Sequence, residues 1–397
     1  MAGVAVAVLV AGASLAAWPG SSPLVPRHGG HPGGDSFWAW LFLGCAAGAL
    51  LAYVVGLRLL ERRGAALRTV AIVAAAVQLV PLGAPLLLST DAWTYWSYAR
   101  IAVALEANPY VDTPGDFPDD VALPHVGTAW RDTPSIYGSG FTLASELVAR
   151  AAGRSEDAAA WAFKALAALA VLAATLAAVR LAERKPLACA FAGWNPVVAL
   201  HAAGGGHNDA WVAALLVGGL ALAAAGRRQL GGAAWAGAIL VKWVPLVLLP
   251  LHLAGRDARR RFGAFGLAAA LVLLGALSTW RYGLGWLRAL EPVARKAGEQ
   301  TSVALPSRLA DLGMSRALAA GVLAVGFAAA YVLLLRQAAR GHARLALASA
   351  LFLLASPWLV VWYLPWSVAL AAAEEDRTAR WLTIALSAYL LPQAVPL

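Results

Sequence analysis

The chain has 397 residues, of which 61% are hydrophobic and only 13% are charged. Soluble domains carry about 25% charged residues, so this composition excludes an ordinary soluble protein. The net charge of +10 does not indicate nucleic-acid binding, because the basic residues cluster in short runs between long apolar segments. Such runs are typical of the cytoplasmic loops of membrane proteins. They occur at residues 58–68, 180–185, 227–228, 256–261 and 336–344.

Apolar runs of about 18 residues recur along the chain and predict an all-α, polytopic integral membrane protein. We expect one membrane domain over residues 1–397, because no polar stretch is long enough to fold alone. The first helix, about 2–18, has no basic residue before it and is expected to be retained rather than cleaved as a signal peptide. Helices over about 37–58 and 68–88 follow. The Arg62-Arg63 run places the second helix end inside, so the third helix leads outward.

Segment 89–135 follows the third helix, is the most polar part of the chain, and is predicted to be a folded external loop with short helices. Asp91 has two interpretations that stay open: a helix N-cap, or a carboxylate that faces a reactant. Tyr95 lies one helical turn after Asp91 on the same face, and Arg100 flanks that face. The helix is predicted to end at Asn108-Pro109, because a residue before proline avoids the α region.

Cations in the predicted external loops run against the usual charge distribution and indicate an anionic ligand or contact with lipid headgroups. Arg131 lies near the end of the first loop, shortly before Tyr137. A second external loop is predicted over 280–315, and its cations are Arg281, Arg288, Arg295, Lys296 and Arg308.

Two apolar segments, 187–202 and 208–225, flank the polar turn that contains His207, Asn208 and Asp209. This turn follows three glycines, and it is either a turn with an Asn/Asp cap or a set of side chains that contact a sugar or a phosphate oxygen. An amphipathic helix over about 139–152 and a helix over 157–182 precede these segments.

Residues 230–254 form one apolar stretch with basic runs on both sides, so we expect it to turn back near Lys242 as two half-helices. Lys242 is either one partner of a buried ion pair or a functional cation. Residues 345–373 predict a second hairpin, and Trp362 and Tyr363 near its turn are expected to be interfacial or to line a cavity. Helices over about 262–279, 316–336 and 381–397 bring the expected total to about 10–13, broken helices included.

Several catalytic motifs are absent from the chain, including a phosphate-binding loop, CxxC, HExxH and GxSxG. The sequence therefore does not support an ATP-driven or zinc-dependent activity. No cofactor is expected and no metal ligand is assigned, although the sequence leaves a divalent metal open.

The motifs and their order resemble the GT-C membrane glycosyltransferases, and more closely the polyprenol-phosphate-mannose-dependent α-1,6-mannosyltransferases of lipomannan assembly. The similar segments span about residues 88–366. They are Ser89-Thr90-Asp91 with Asn108-Pro109-Tyr110, Trp130 to Gly138, Trp194-Asn195-Pro196 with Gly205 to Asp209, Ala236 to Lys242, and Ser356 to Trp366. Ser139 and Pro365 depart from the family pattern, which has Pro and Leu there.

The resemblance implies a hexosyltransferase, with mannose as the expected sugar. It would use a polyprenyl-phosphate-linked donor and a glycan or glycolipid acceptor, and it would invert the anomeric centre. Asp91 would be the general base, because an attacking hydroxyl must lose its proton. The residues expected to bind substrate are Tyr95, Arg100, Arg131, Tyr137, His207, Asn208, Asp209, Lys242, Trp362 and Tyr363.

The expected location is the plasma membrane of a bacterium, with loops 89–135 and 280–315 forming an extracytoplasmic active-site face. Two alternatives remain: a transporter or flippase for a glycolipid or polyprenyl-linked substrate, and a non-catalytic scaffold of the same fold. The polar loops all lie on one predicted face, which favours an enzyme, since a transporter needs paths to both faces.

Overall fold

Helices make up nearly all of the regular secondary structure in the part of the chain that the structure describes. The computed structural model describes residues 1–27, 29–30, 33–257, 261–291, 300–341 and 343–397. These residues form α-helices joined by short 3₁₀ and π segments, with one isolated β-bridge between Arg27 and Gly30. The predicted all-α class is confirmed. Arg259, Arg260, Arg295 and Lys296 lie outside the described residues.

The helices follow the predicted apolar segments closely. In chain order they are α1 (Ala2–Leu15), α2 (Ser36–Arg63), α3 (Leu67–Leu79), α4 (Asp91–Val103), α5 (Ser139–Ala152), α6 (Glu156–Leu181), α7 (Lys185–Gly193), α8 (Pro196–Val198), α9 (Asp209–Ala224), α10 (Arg228–Val241), α11 (Pro245–Ala254), α12 (Ala264–Tyr282), α13 (Leu305–Asp311), α14 (Arg316–Ala338), α15 (Leu345–Ala355), α16 (Leu364–Glu374) and α17 (Arg377–Leu390). A π segment, Ala199–Ala203, continues α8.

Four described helices are long and apolar enough to cross a membrane: Ser36–Arg63, Glu156–Leu181, Ala264–Ala289 and Arg316–Ala338. Shorter apolar helices account for much of the rest of the expected set, and they include α9, α11 and α15. Both predicted half-helix pairs are confirmed. Stretch 230–254 divides into α10 and α11 around Lys242–Val244, and stretch 345–373 divides into α15 and α16.

Helix α6 lies at the centre of the bundle, against α4, α5, α7, α9 and α16. In the apolar central part of α6, 56% of the residues are buried inside the protein. In the helices that begin at Ala264 and Arg316, the buried share of the corresponding part is only 11%. The latter two therefore present apolar surface outward, as expected of helices that contact lipid.

Several predicted helix ends are wrong, and the last helix stops at Leu390 rather than at 397. Helix α1 stops at Leu15, and α3 stops at Leu79, where a 3₁₀ segment with Pro81 replaces it. Helix α4 ends at Val103 rather than at Asn108-Pro109. Glu106 has a left-handed φ of 52°, and the backbone N–H groups of Ala104 and Leu105 both donate to the carbonyl of Arg100. A left-handed residue after the last turn, not the proline, ends the helix.

The start of α5 is closely packed against the end of α10. The backbone N–H of Gly138 donates to the carbonyl of Val241 at 3.1 Å. A Cβ atom at Gly138 would lie 2.1 Å from the backbone oxygen of Leu240, which no real contact allows. This contact holds Tyr137 next to the break between α10 and α11, where Tyr137 and Lys242 line the same cavity.

We expect Gly138→Ala to lower the midpoint of thermal unfolding in detergent, because its methyl group overlaps the backbone of α10. Overpacking of this kind costs about 1–3 kcal/mol. Gly321→Ala in α14 is the matched control, since a Cβ there meets nothing within 4 Å. Alanine favours a helix by about 1 kcal/mol, so the control midpoint should stay or rise. Equal midpoints for the two variants would contradict the packing described.

Candidate active site

Asp91 is the first residue of α4, and its carboxylate contacts two side chains. The Tyr95 hydroxyl, one turn further along α4, donates to Asp91 Oδ2 at 3.4 Å. His207 Nδ1 lies 3.2 Å from the same oxygen. The N-cap position belongs to Thr90, whose side chain caps nothing, so the interpretation of Asp91 as the N-cap is wrong. The side chain of Asp91 is 13% exposed, which leaves it reachable from one side.

His207 and Asn208 belong to the turn before α9 and lie fully buried beside Asp91. The ring of His207 stacks on Trp362, with 4.3 Å between centroids and 7° between planes. Asn208 Oδ1 lies 3.5 Å from the Tyr95 hydroxyl. Within the described chain, neither ring nitrogen of His207 nor Nδ2 of Asn208 makes a hydrogen bond of good geometry. Buried polar atoms without partners are costly, so they are uncommon away from functional sites.

Asp209 and Lys242 form a buried ion pair. Lys242 Nζ donates to both carboxylate oxygens, at 2.8 and 3.0 Å, and the Asp209 side chain is fully buried. The ammonium group also lies over the rings of Tyr363 and Trp366, at 4.4 and 5.4 Å. Of the two interpretations of Lys242, the ion pair is the one observed. The interpretation of the turn as an Asn/Asp helix cap is not observed. Asn208 occupies the N-cap position of α9, but its side chain accepts no hydrogen bond from the backbone N–H groups of the first turn.

An apolar cavity of about 380 Å³ begins at Lys242. Tyr363, whose ring lies 4.4 Å from Lys242 Nζ, also lines it, as do Tyr137, Phe327 of α14 and Phe352 of α15. Lys242 is the one charged residue among its described lining residues. The structure therefore places a single cation among the described residues that line an otherwise apolar cavity.

Arg100 does not join this group. It forms a bidentate ion pair with Asp120 at 2.7–3.1 Å and donates to the carbonyl of Gly153. Both side chains are nearly buried. Arg100 thus holds loop 104–135 against α4 and the end of α5, and this role is structural. Arg131 contacts the carbonyl of Val126 within the same loop, at 3.4 Å.

The described cations of loop 280–315 also lie apart from Asp91. Arg281 pairs with Glu146 of α5 at 3.0 Å, and Arg308 contacts the hydroxyl of Tyr389 at 3.3 Å. Arg288 lies on the 3₁₀ segment Gly283–Ala289 and is exposed. Arg281, Arg288 and Arg308 therefore do not come together to form one anion-binding site in the described part of the loop.

Glu146 and Lys164 are among the buried ionisable residues that the sequence analysis did not single out. Glu146 accepts from the hydroxyl of Tyr282 at 2.7 Å as well as from Arg281. Lys164 of α6 donates to the carbonyls of Ala84 and Pro85, and so holds the connection that leads into α4. Because Lys164 lies within the predicted apolar helix 157–182, the sequence could have predicted that its ammonium group has a hydrogen-bonding partner inside the protein. Among the described residues, no group of three or more His, Cys, Asp and Glu side chains is arranged to hold a metal ion.

We expect Asp209→Asn to lower the free energy of unfolding by about 3 kcal/mol, because it leaves a mostly buried ammonium group without its partner. The double variant Asp209→Asn/Lys242→Met should recover most of that loss. The measurement is a double-mutant cycle from denaturant unfolding in detergent.

Asp311→Asn is the matched control. It breaks the pair with Arg308, whose side chains are 65% and 42% exposed, and an exposed pair contributes at most about 1 kcal/mol. Additive losses from Asp209→Asn and Lys242→Met would contradict the coupling.

The comparisons with known proteins match the part of the chain that carries most of this group. A family model described as "Alpha-(1->6)-mannopyranosyltransferase, N-terminal domain" matches residues 1–254. Over 229 residues the chain is 31% identical to alpha-(1->6)-mannopyranosyltransferase A of Mycobacterium tuberculosis (strain ATCC 25618 / H37Rv).

The match with that relative covers 52% of this chain and 44% of the relative, so less than half of the relative's length is spanned. No solved structure matches. The family model includes Asp91, Tyr95, Asp209 and Lys242, and excludes the aromatic residues after 356. On this match, the chain belongs to the α-(1→6)-mannopyranosyltransferase family.

Proposed function

We propose that this protein transfers a hexose, mannose by family, from a polyprenyl-phosphate-linked donor to a hydroxyl of a glycan or glycolipid acceptor, with inversion. One observation carries the proposal: Asp91, the Asp209–Lys242 pair and the apolar cavity adjoin one another in that order. A base, a cation and a lipid-sized apolar space are the three things this reaction needs. The family and the M. tuberculosis relative, by their names, support mannose as the sugar.

The donor lipid would occupy the cavity next to Lys242. Apolar side chains of α14 and α15 line this space, and α14 faces outward along most of its length, which gives a polyprenyl chain access from the bilayer. Two of the three N–H groups of Lys242 are used by Asp209, so one remains for a phosphate oxygen. A fixed cation at this position stabilises the charge that grows on the leaving phosphate.

The acceptor would be activated by Asp91. Its described contacts, from Tyr95 and His207, fall on Oδ2, so Oδ1 is available to an acceptor hydroxyl. As the hydroxyl oxygen bonds to the anomeric carbon, its proton passes to the carboxylate. The bond between that carbon and the phosphate oxygen breaks with its electron pair. A phosphate leaving group needs no proton, so one carboxylate is sufficient.

His207 and Asn208 would bind the sugar or the acceptor through His207 Nε2 and Asn208 Nδ2, which have no hydrogen-bond partner among the described residues. Nδ1 of the same His207 ring lies 3.2 Å from Asp91 Oδ2, and Oδ1 of the same Asn208 amide lies 3.5 Å from the Tyr95 hydroxyl. A bound hydroxyl group would satisfy the two unpartnered nitrogens. Gaining these hydrogen bonds only when substrate is present adds selectivity for a polyhydroxylated ligand.

The proposed active face is extracytoplasmic, in the plasma membrane of a bacterium. The support is the charge distribution: Arg62 and Arg63 end α2, Arg184 precedes α7, and Arg344 precedes α15, all at helix ends away from the Asp91 group. Basic residues of this kind remain on the cytoplasmic side.

Asp91→Asn is expected to reduce sugar transfer at least about 100-fold, because it removes the base but keeps the shape of the side chain. The measurement is transfer of radiolabelled mannose from polyprenyl-phosphate mannose in isolated membranes, normalised to the amount of inserted protein. Asp119→Asn, which changes an exposed carboxylate in the same loop, should keep wild-type activity.

Wild-type activity in the Asp91→Asn membranes would refute the role of Asp91. Asp91→Glu keeps a carboxylate and should retain measurable transfer, which separates loss of the base from loss of the fold. Wild-type protein that transfers no sugar from any polyprenyl-phosphate donor would refute the donor class.

A further inference from the structure

A second cavity, of about 320 Å³, lies where the end of α2 meets the starts of α7 and α17. Both charged and apolar residues line it. The charged members are Arg58, Glu61, Arg184, Arg377 and Arg380. The apolar members are Val54, Leu57, Leu187, Phe191, Trp381 and Ile384. We name this cavity the arginine pocket.

The arginine pocket has more positive charge than its own carboxylates neutralise. Arg184 and Arg380 both contact the same oxygen of Glu375, Oε1, at 3.3 Å. Within the described chain, Arg58 and Arg377 form no ion pair with a carboxylate, and Arg58 lies over the ring of Trp381 at 5.6 Å. Four arginines therefore face two glutamates, and the excess charge calls for an anion.

The arginines of the pocket differ in how far their side chains are exposed, so that one lies at the bottom of the recess and the others lie around its opening. The side chain of Arg380 is 8% exposed and forms the floor, where its guanidinium group lies over Phe191 at 5.7 Å. Arg184, with a side chain 57% exposed, stands at the rim, and Arg58 and Arg377 are also exposed. Planar guanidinium groups arranged around a recess suit phosphate oxygens, which they bind in a bidentate manner.

The apolar wall indicates that the anion belongs to a lipid. Val54 and Leu57 lie on α2, which is long enough to cross a membrane, and Leu51, Val55 and Trp381 near the pocket are exposed. A soluble phosphate would gain nothing from such a surface, whereas acyl chains would cover it. Basic pockets between membrane helices are known to bind phosphate-bearing headgroups.

We propose that the arginine pocket binds the phosphate group of an anionic phospholipid, with the acyl chains lying along α2 and α17. The pocket is separate from the Asp91 group. It lies at the start of α7, and His207 follows the far end of the run formed by α7, α8 and the π segment. At 1.5 Å per helical residue, that run is at most about 30 Å long, and the arginine pocket and the apolar cavity share no lining residue. The proposal therefore does not rest on the proposed function.

The test is lipid binding by the full chain, purified in a neutral detergent and measured by native mass spectrometry. Phosphatidylglycerol is compared with phosphatidylcholine of the same acyl chains, and inorganic phosphate is titrated separately. The pocket variant is Arg58→Gln/Arg377→Gln. The control variant is Arg62→Gln/Arg63→Gln, which removes two exposed arginines from the same end of α2 but outside the cavity lining.

Wild-type and control protein should bind phosphatidylglycerol in preference to phosphatidylcholine, and the pocket variant should bind it at least about ten-fold more weakly. Arg58→Lys/Arg377→Lys keeps the charge and should lose less. Equal loss in the pocket and control variants would overturn the proposal, because it would show diffuse charge attraction. Undiminished binding in the pocket variant would also overturn it. Inorganic phosphate that binds as tightly as the lipid would refute the lipid assignment.

Discussion

The buried pair of Asp209 and Lys242 is the interaction on which the arrangement of the site depends. A charge in this environment needs its partner, so the pair joins the start of α9 to the break between α10 and α11. His207 and Asn208 directly precede Asp209, and the pair thereby directs their side chains towards Asp91. On the other side, Lys242 reaches the apolar cavity with its ammonium group held over Tyr363. One ion pair thus positions both the polar and the apolar half of the site.

Much of this site could be predicted from the sequence because local rules determine it. The turn before α9, the break at Lys242 and the pairing of Asp91 with Tyr95 follow from glycine content, an apolar stretch with basic ends and the period of a helix. The partners of Arg100 and Arg281 could not be predicted in this way. Asp120 and Glu146 are their counter-ions; the fold of loop 104–135 brings Asp120 to Arg100, and the packing of α5 against α12 brings Glu146 to Arg281. A sequence shows that a charge exists, but not which distant charge neutralises it.

The apolar cavity and the arginine pocket differ in the charged residues that line them. One adjoins the candidate active site and contains a single lysine among aromatic residues, and the other is rich in arginine and lies at the opposite end of the run from α7 to the π segment. Lysine suits a position where one phosphate must arrive and leave, since it offers a compact charge with few fixed donors. Arginine suits a position where a headgroup is held, since its planar group binds two oxygens at once. Apolar side chains line part of both cavities, as the proposed lipid ligands require.

The proposed mechanism requires the donor phosphate to bind beside Lys242 and across the sugar from Asp91. The decisive measurement is an experimental structure of the protein with a non-hydrolysable phosphonate analogue of polyprenyl-phosphate mannose. We predict a phosphonate oxygen within about 3 Å of Lys242 Nζ, the hydrocarbon chain in the apolar cavity, and Asp91 across the sugar from the phosphonate. An analogue bound away from Lys242, or one with its phosphonate on the same side of the anomeric carbon as Asp91, would contradict the account.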